Sequence, residues 1–337
     1  MIRTVTLALA GSLLATTAIA EEVNIYSYRQ PELIQPILDA FTEETGITTN
    51  VAYIDKGLVE RLQAEGARSP ADIIMTVDIS RLAAAKDAGV TQAVDDEALK
   101  AAVPANLRDD EGHWYGLTTR ARIVYASKER VAEGEVTTYE DLADPKWKGR
   151  ICTRPGTHDY NLGLIGAMIA HNGVEATEEW LQGVKANLAQ KPEGNDRAQV
   201  KAIWAGQCDI SLGNTYYMGA MLDDPEQVEW ANSVRIDFPT FENGGGTHVN
   251  LSGVAMTASA PNRDAALKFM EFLVSPEAQA IYAAEVDEYP ARPDAMTSER
   301  VASWGEFTPD DLELTEIAAH RAEALQLVER VDFDAGN

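Results

Sequence analysis

Alternating strand-like and helix-like segments constrain the fold of this chain more than any other feature. A β-type run over 23–27 comes first, and apolar residues at helical spacing follow it up to Gly46, which ends that stripe. The same order continues with strands at 51–54 and 72–75, a helix through Leu58 and Leu62, and a helix from Ser80, its expected N-cap, to Gly89. This order predicts an α/β architecture with a mainly parallel sheet covered by helices.

The pattern restarts after an apolar, β-branched segment at 116–126, which predicts a long strand crossing into a second lobe. Further strands are expected at 151–154, 209–212 and 249–256, and helices at 161–170, 198–204, from Asn214, at 265–274 and at 310–331, the last packing across one lobe. A chain of 337 residues exceeds what one hydrophobic core supports. We therefore expect an N-terminal lobe of residues 21–120 plus 246–296 and a C-terminal lobe of 121–245 plus 297–337, with a hinge that includes Gly244 to Gly246.

The first twenty residues have the form of a cleaved export signal. Arg3 precedes an apolar run from Val5 to Ala15, and Ala18-Ile19-Ala20 forms a small-x-small cleavage site. The alternative is an N-terminal core helix. The formal charge of −26 disfavours nucleic acid and anionic membranes as partners, and no later apolar stretch is long enough to insert into a membrane. The sequence predicts an exported periplasmic protein.

Cys152 and Cys208 are the two cysteines of the chain. In an oxidising compartment pairing is the default, and a bridge between them would stabilise the fold by about 4 kcal/mol in the chain-entropy model. Two buried free thiols are the alternative.

Two segments repeat one arrangement in which a strand runs into a short loop and then a helix that begins with tyrosine. The strand at 151–154 precedes Tyr160, and the strand at 209–212 precedes Tyr216 and Tyr217. Ligands of open α/β sheets bind at the carboxyl ends of strands. Helix N-termini favour negative charge. The three tyrosines are therefore candidate phenolate ligands, with a buried aromatic pair in one core as the alternative reading of Tyr216 and Tyr217.

Phenolates point to a highly charged cation. Tyrosine titrates near pH 10, so ionising one at pH 7 costs about 4 kcal/mol. A hard trivalent cation at bonding distance offsets that cost, whereas softer divalent ions prefer histidine or cysteine. Three phenolates and one Fe(III) together carry no net charge.

Four stretches resemble bacterial periplasmic ferric-iron-binding proteins, and the resemblance extends from about Val23 to Pro290. They are Asn24-Ile25-Tyr26-Ser27-Tyr28-Arg29, Leu117-Thr118-Thr119-Arg120-Ala121-Arg122, Lys148-Gly149-Arg150-Ile151-Cys152-Thr153-Arg154 and Cys208-Asp209-Ile210-Ser211-Leu212-Gly213-Asn214-Thr215-Tyr216-Tyr217. The resemblance implies a type II periplasmic-binding-protein fold, in which two α/β lobes joined by a hinge close on Fe(III). It also implies delivery of the iron to an inner-membrane ABC permease by a monomeric protein.

Residue by residue, the resemblance implies that Tyr160, Tyr216 and Tyr217 bind iron and that Arg29 and Arg120 hold a synergistic anion. Tyr28, Arg122, His158 and Asn214 are candidates for the surrounding shell. Many members of the family have His-Tyr where this chain has Gln30-Pro31, and neither Gln30 nor Pro31 is expected to bind iron. Three tyrosines leave the ion short of ligands, so carbonate, another small anion or water is expected to complete its shell. A structural salt bridge is the alternative role for either arginine.

Two other functions remain open from the sequence. The same scaffold could hold an oxyanion or a polyamine, and a periplasmic metal-dependent hydrolase is a candidate from another class. A hydrolase needs an open metal position and a general base, and no residue of the sequence presents itself as that base. Since no nucleophile elbow and no cysteine beside a base occur either, we expect a binding protein and not an enzyme.

Overall fold

The computed structural model describes residues 21–29, 31–54 and 56–337. The predicted signal peptide, residue Gln30 and the side chain of Pro31 lie outside this description. No helix among the described residues is both long and apolar enough to cross a membrane.

The strands of the described chain belong to one sheet. They are β1 (Glu22–Ser27), β2 (Thr48–Tyr53), β3 (Ile73–Thr76), β4 (Tyr115–Ser127), β5 (Ile151–Cys152), β6 (Ile210–Asn214), β7 (Val234–Asp237), β8 (Val249–Met256) and β9 (Tyr289–Pro290). The main path runs β2-β1-β3-β8-β4-β6-β5, and β7 and β9 each pair with β4.

The prediction of a mainly parallel sheet is wrong, because the sheet is mixed. Strand β1 pairs parallel with β2 and β3, and β5 pairs parallel with β6. All pairings of β4 and β8 are antiparallel. These two strands carry the chain out of the N-terminal lobe and back into it, so they run in opposite directions beside one another.

Strand β4 connects the two halves of the molecule. Its residues from Tyr115 to Ala121 pair with β8, whereas those from Arg122 to Ser127 pair with β6 and β7. The change of partner falls between Arg120 and Arg122. Both arginines therefore lie where the two halves of the sheet meet.

Helices cover the sheet. They are α1 (Pro31–Thr45), α2 (Leu58–Glu65), α3 (Ile79–Asp87), α4 (Glu97–Ala102), α5 (Asp159–Asn172), α6 (Val174–Ala186), α7 (Asp196–Trp204), α8 (Tyr216–Leu222), α9 (Val228–Ser233), α10 (Arg263–Leu273), α11 (Pro276–Glu285), α12 (Glu299–Ala302), α13 (Leu314–Ala319) and α14 (Arg321–Arg330). The apolar stripe of α1 packs into one core with β1 and α10, and the ring of Phe41 lies edge-on to that of Phe269 at 5.0 Å between centroids. Burying a side chain of this size stabilises the fold by about 2–3 kcal/mol.

Three local predictions need correction. Asp78 caps α3 by accepting from the Ser80 amide, so Ser80 lies within the helix and is not its cap. Asn214 ends strand β6, and α8 begins two residues later at Tyr216. The C-terminal helix α13 packs on both α3 and α5, and therefore touches both lobes instead of one.

The predicted disulfide is confirmed. Cys152 and Cys208 are bonded, with their Cα atoms 5.9 Å apart. Cys152 ends strand β5, and Cys208 lies two residues before β6 begins. The bridge therefore joins the two strands whose carboxyl ends lead to the tyrosine-bearing helices.

Candidate functional site

A cleft of about 550 Å³ opens between the two halves of the sheet. Its walls bring together residues that lie far apart in the sequence. They include Tyr28, Arg29, Tyr53 and Arg120, then Tyr160, Asn195, Arg197, Tyr216 and Tyr217, and finally Asp223, Glu285, Asp287 and Glu288. All three candidate iron ligands and both candidate anion-binding arginines therefore face the same space.

Tyr160 lies in the first turn of α5. His158 caps this helix, and its Nδ1 accepts from the Tyr160 amide at 3.2 Å. Burial and the nearby Arg154 lower the pKa of His158 to about 4, so the ring is neutral and Nδ1 can accept. The His158 ring also lies edge-on to Tyr160, with 4.7 Å between centroids. His158 thus fixes the position of Tyr160 without itself pointing to a cation.

Tyr216 and Tyr217 open α8, directly after β6. The Tyr216 hydroxyl donates to the Tyr160 hydroxyl over 3.1 Å, and the rings of Tyr216 and Tyr217 lie 4.3 Å apart. The alternative of an aromatic pair sealed in one core does not fit, because both rings line the cleft. The two helix starts therefore bring the three phenols together, as the repeated strand–loop–helix arrangement predicts.

Tyr216 and Tyr217 are held in their neutral form while no cation is present. Burial raises the pKa of Tyr216 well above its ordinary value, and the neighbouring phenols of Tyr160 and Tyr217 raise it further, while Arg120 acts in the opposite direction. Burial is also the main cause of the raised pKa of Tyr217. Ionisation of Tyr216 and Tyr217 at neutral pH therefore requires a strong local positive charge beyond that of the arginines.

Three guanidinium groups surround the ring of Tyr160. The central guanidinium carbons of Arg154, Arg120 and Arg122 lie 5.0, 5.8 and 5.9 Å from its centroid. Asp196 is fully buried at the start of α7 and binds Arg122 at 2.6 Å and Arg154 at 3.2 Å. Sequence reasoning missed Asp196, and its place directly after the helix cap Asn195 was the one available signal.

Arg122 and Asn214 belong to the framework beneath the tyrosines. Besides Asp196, Arg122 binds the side-chain oxygens of Asn161 at 2.6 Å and Asn214 at 3.1 Å. Asn214 in turn ends the strand that leads to Tyr216. These contacts explain how both residues act on the tyrosines without facing the cleft.

Arg29 and Arg120 differ in how completely they are already paired. Arg29 binds Glu288 at 2.8 Å and Ser252 at 2.6 Å. Among the described residues, the guanidinium of Arg120 has one hydrogen bond, to the Ser252 hydroxyl at 3.4 Å, and its Nη2 has no partner. Arg29 is therefore part of a buried salt bridge, whereas Arg120 retains donors for a further acceptor.

Glu288 is a second residue that sequence reasoning missed. It is buried and accepts from Arg29, Ser252 and the hydroxyl of Thr118. Burial opposes its ionisation, but Arg29 and Arg120 outweigh burial and hold the pKa of Glu288 below its usual value. The anionic carboxylate thus offsets one of the two arginine charges in the N-terminal wall.

Tyr28 lies across the cleft from the tyrosine cluster and stacks under the Arg81 guanidinium at 4.1 Å. Arg81 also pairs with Asp159 at 3.0 Å, next to Tyr160 in the sequence. Arg81 lies on α3 of the N-terminal lobe and Asp159 on α5 of the C-terminal lobe, so this ion pair joins the two walls of the cleft.

The cleft differs from the usual metal sites of proteins. In the described part of the chain, no group of three His, Cys, Asp or Glu side chains is arranged to hold a metal ion. The three phenol oxygens are thus one cluster of potential cation ligands in this cleft, whose walls also carry the carboxylates of Asp223, Glu285, Asp287 and Glu288.

Comparison with known proteins places the chain in a family. A family model of bacterial extracellular solute-binding proteins matches residues 37–309. The chain belongs to this family. It is 43% identical over 312 residues to iron uptake protein A1 of Synechocystis sp., an alignment that covers 91% of this chain and 86% of that protein.

Solved structures extend the likeness of this solute-binding protein to its whole fold. Ferric iron-binding protein A of Mannheimia haemolytica, in an open conformation, superposes with a TM-score of 0.89 at 48% identity, over 94% of this chain and 99% of that one. The Trichodesmium protein IdiA, or FutA, in complex with iron and citrate, superposes with a TM-score of 0.88 at 41% identity, over 93% and 99%. The predicted resemblance to ferric-iron-binding proteins and the type II periplasmic-binding fold are confirmed.

Proposed function

We propose that this solute-binding protein captures Fe(III) in the periplasm and delivers it to an inner-membrane ABC importer. The observation that carries the proposal is the convergence of Tyr160, Tyr216 and Tyr217 in one cleft, with the first two hydroxyls 3.1 Å apart. The names of its relatives, iron uptake protein A1 and ferric iron-binding protein A, support the same cargo. The protein acts as a monomer and catalyses no reaction.

The charge of the cluster favours a trivalent ion. Each neutral phenol must lose its proton to bind, and the raised pKa values of Tyr216 and Tyr217 make this costly. A divalent ion would leave one of three phenolates uncompensated in a buried place. Fe(III) neutralises all three, and a bound ion dominates the pKa values of its own ligands.

A small anion completes the shell of the ion on the side of the N-terminal lobe. Arg120 lines this wall and, among the described residues, is hydrogen-bonded to the Ser252 hydroxyl and to no carboxylate, while Arg29 lies beside it. Carbonate fits the planar, two-pronged geometry of a guanidinium group. A citrate oxygen would meet the same donors, in keeping with the citrate in the Trichodesmium complex.

The lobes close on the iron as two units, residues 21–120 plus 246–296 and residues 121–245 plus 297–337. The Mannheimia relative in an open conformation shows that a closely similar chain adopts an opened form. The strands β4 and β8, which connect the lobes, are the place for the hinge.

A visible absorption spectrum with total metal analysis tests the cargo. The purified protein is stripped of metal, and ferric citrate is then added in carbonate buffer. We expect one iron per chain and a visible band from charge transfer between tyrosinate and Fe(III). The oxyanion, polyamine and hydrolase alternatives all predict a colourless protein. A stripped protein that stays colourless and takes up no iron would exclude the proposed function.

A further inference from the structure

A small chamber lies beside Tyr160, next to the cleft. Its volume is about 10 Å³, which is room for one particle about the size of a water molecule. Its walls are formed by Arg120, Arg122, Tyr160, Asn214, His248 and Asn250. Arg120 and Tyr160 also line the cleft, so the chamber adjoins the proposed iron site.

Four buried polar atoms in these walls have no hydrogen-bond partner among the described residues. They are Nη2 of Arg120, Nε of Arg122, Nδ2 of Asn214 and Nδ1 of His248. Their side chains are each at most 3% exposed. An unpartnered buried donor costs about 1–3 kcal/mol, so four in one place indicate that something fills the space between them.

The orientation of the two amide side chains is fixed by their other contacts. Arg122 can only donate, so the oxygen of Asn214 must face it at 3.1 Å and the NH₂ group must face the chamber. The oxygen of Asn250 already accepts from the amides of Ile79 and Leu251, and its NH₂ group donates to Asp78. The free atoms of Arg120, Arg122 and Asn214 are therefore all donors.

We propose that the chamber binds one monoatomic anion, such as chloride. Two guanidinium groups and an amide NH₂ supply hydrogen-bond donors and positive charge. Asp196 neutralises Arg122, but among the described residues no carboxylate is hydrogen-bonded to Arg120. A water molecule must place two hydrogens of its own, and of the four unpartnered atoms found among the described residues of these walls, Nδ1 of His248 alone could receive one. Carbonate and citrate are too large for this chamber, so its ligand differs from the anion in the cleft.

The neutral state of His248 is consistent with this assignment. Burial, followed by the charges of Arg122 and Arg120, lowers its pKa to about 3. The ring therefore carries one N–H, which in the Nδ1 tautomer becomes a fourth donor to the anion.

Diffraction at long wavelength identifies the occupant, because chlorine then scatters anomalously and oxygen does so hardly at all. The experiment uses crystals of the iron-free protein grown in sodium chloride and in sodium gluconate. We expect an anomalous peak in the chamber in the crystals grown in sodium chloride and none in those grown in sodium gluconate. Density without an anomalous peak would identify water, and an empty chamber would equally refute the proposal. Because no iron is present, neither result depends on the proposed function.

Asn214→Asp provides a matched variant that supplies the negative charge itself. Its carboxylate keeps the acceptor for Arg122 and replaces the chamber-facing NH₂ group with a second oxygen. In the wild type, chloride at ten times its dissociation constant should raise the melting temperature by about 3 °C over gluconate at equal ionic strength. Asn214→Asp should lose both this shift and the anomalous peak. Asn106→Asp adds the same charge at an exposed position and should keep both.

A peak that persists in Asn214→Asp would refute the assignment of the donors. If that variant does not fold, the anomalous map of the wild type still decides whether an anion is bound.

Discussion

The hydroxyl oxygens of three tyrosines are the smallest unit on which the proposed function depends. Tyr160 and Tyr216 are hydrogen-bonded, and the ring of Tyr217 packs on that of Tyr216. Replacing one tyrosine hydroxyl group by hydrogen, as Tyr→Phe does, leaves the packing of the ring almost unchanged but removes a proposed iron ligand. A single Tyr→Phe substitution therefore separates an effect on iron binding from an effect on folding more cleanly than any larger change.

We predict that Tyr216→Phe and Tyr217→Phe each lower Fe(III) affinity by more than about 100-fold, since second-shell changes alone cost 10- to 100-fold. Their circular dichroism and melting temperature should stay close to wild type. Competition with citrate, followed through the visible band, measures the affinity. Tyr53→Phe is the control, because Tyr53 also lines the cleft but lies outside the cluster. Full iron stoichiometry and an unchanged band in both cluster variants would contradict the tyrosinate site.

The two arginines in the N-terminal wall should give different results when mutated. Arg120→Ala should weaken iron binding about 10- to 100-fold in carbonate buffer and much less without carbonate, because it loses donors to a charged ligand. Arg29→Ala should instead lower stability by about 3–5 kcal/mol, since it leaves Glu288 buried without its partner. Denaturant titration measures the second effect, and adding Glu288→Gln should recover part of it. An equal loss of affinity in Arg120→Ala with and without carbonate would show that Arg120 does not hold the anion.

At the scale of elements, sequence patterns located most strands and helices but not the contacts between them. The predicted strand at 116–126 is β4 (115–127), and the predicted strand at 249–256 matches β8. Ser80 and Asn214 were misread because capping and strand-end residues are the same polar types, so only the backbone distinguishes them.

Pairings over long sequence separations could not be predicted. Glu288 lies 259 residues from Arg29, and Asp196 lies 74 residues from Arg122. Asp196 follows a helix cap, but nothing local marks either acid, among the 54 of the chain, as the partner of these arginines. The tyrosines were predictable because each directly follows a strand at a helix start, which is a local signal.

The disulfide joins β5 to the start of β6, the two strands that lead to the tyrosine helices. Thiol titration of the denatured, unreduced protein should therefore find no free thiol. Cys152→Ala/Cys208→Ala should lose about 4 kcal/mol of stability in the chain-entropy model, measured by denaturant titration. Because the bridge positions both tyrosine loops, its iron affinity should fall as well. Two titratable thiols in the unreduced wild type would rule out the bridge.

Helices α3 and α5 face each other through Arg81 and Asp159. Asp159 binds Arg81 at 3.0 Å and, through its other oxygen, Arg321 at 2.7 Å. Arg81 lies on the N-terminal lobe, so Arg81→Gln should loosen closure and speed iron release about two- to fivefold, the usual worth of a partly exposed pair. Arg321→Gln removes a partner of the same carboxylate from within the C-terminal lobe and should leave release unchanged. Stopped-flow transfer of iron to a chelator measures both rates, and equal rates in the two variants would mean that this pair does not hold the lobes together.

The whole molecule is one sheet divided by a cleft, with β4 and β8 passing between the lobes. Helix α13, which contacts both α3 and α5, is a further connection that any opening has to accommodate. In the proposed function, closure brings the anion-holding wall against the tyrosine wall, so the ion itself would be part of what keeps the lobes together. Loss of the ion and motion of the lobes are therefore expected to occur together.

We predict that iron is held at neutral pH and lost on acidification or on reduction. The pKa values of Tyr216 and Tyr217 are raised in the ion-free protein, so bound iron displaces protons that return as the pH falls. For three phenols the affinity should fall by up to about 1000-fold per pH unit. Reduction to Fe(II) removes one positive charge and leaves a phenolate uncompensated, so a mild reductant with an Fe(II) chelator should empty the site at constant pH.

Small-angle scattering of the loaded and stripped protein tests the motion that should accompany this release. With iron bound, the phenolates of the C-terminal lobe and the anion held by Arg120 share one ion, which draws the lobes together. Without it, the described residues still form two partly exposed ion pairs between the lobes, Arg81 with Asp159 and Arg300 with Asp287, each worth at most about 1 kcal/mol, too little to keep the cleft shut. The radius of gyration should therefore increase on stripping, and the increase should come earlier in an acid titration for Arg81→Gln. An unchanged radius, together with Fe(II) held as tightly as Fe(III), would contradict both the closure and the tyrosinate account of the site.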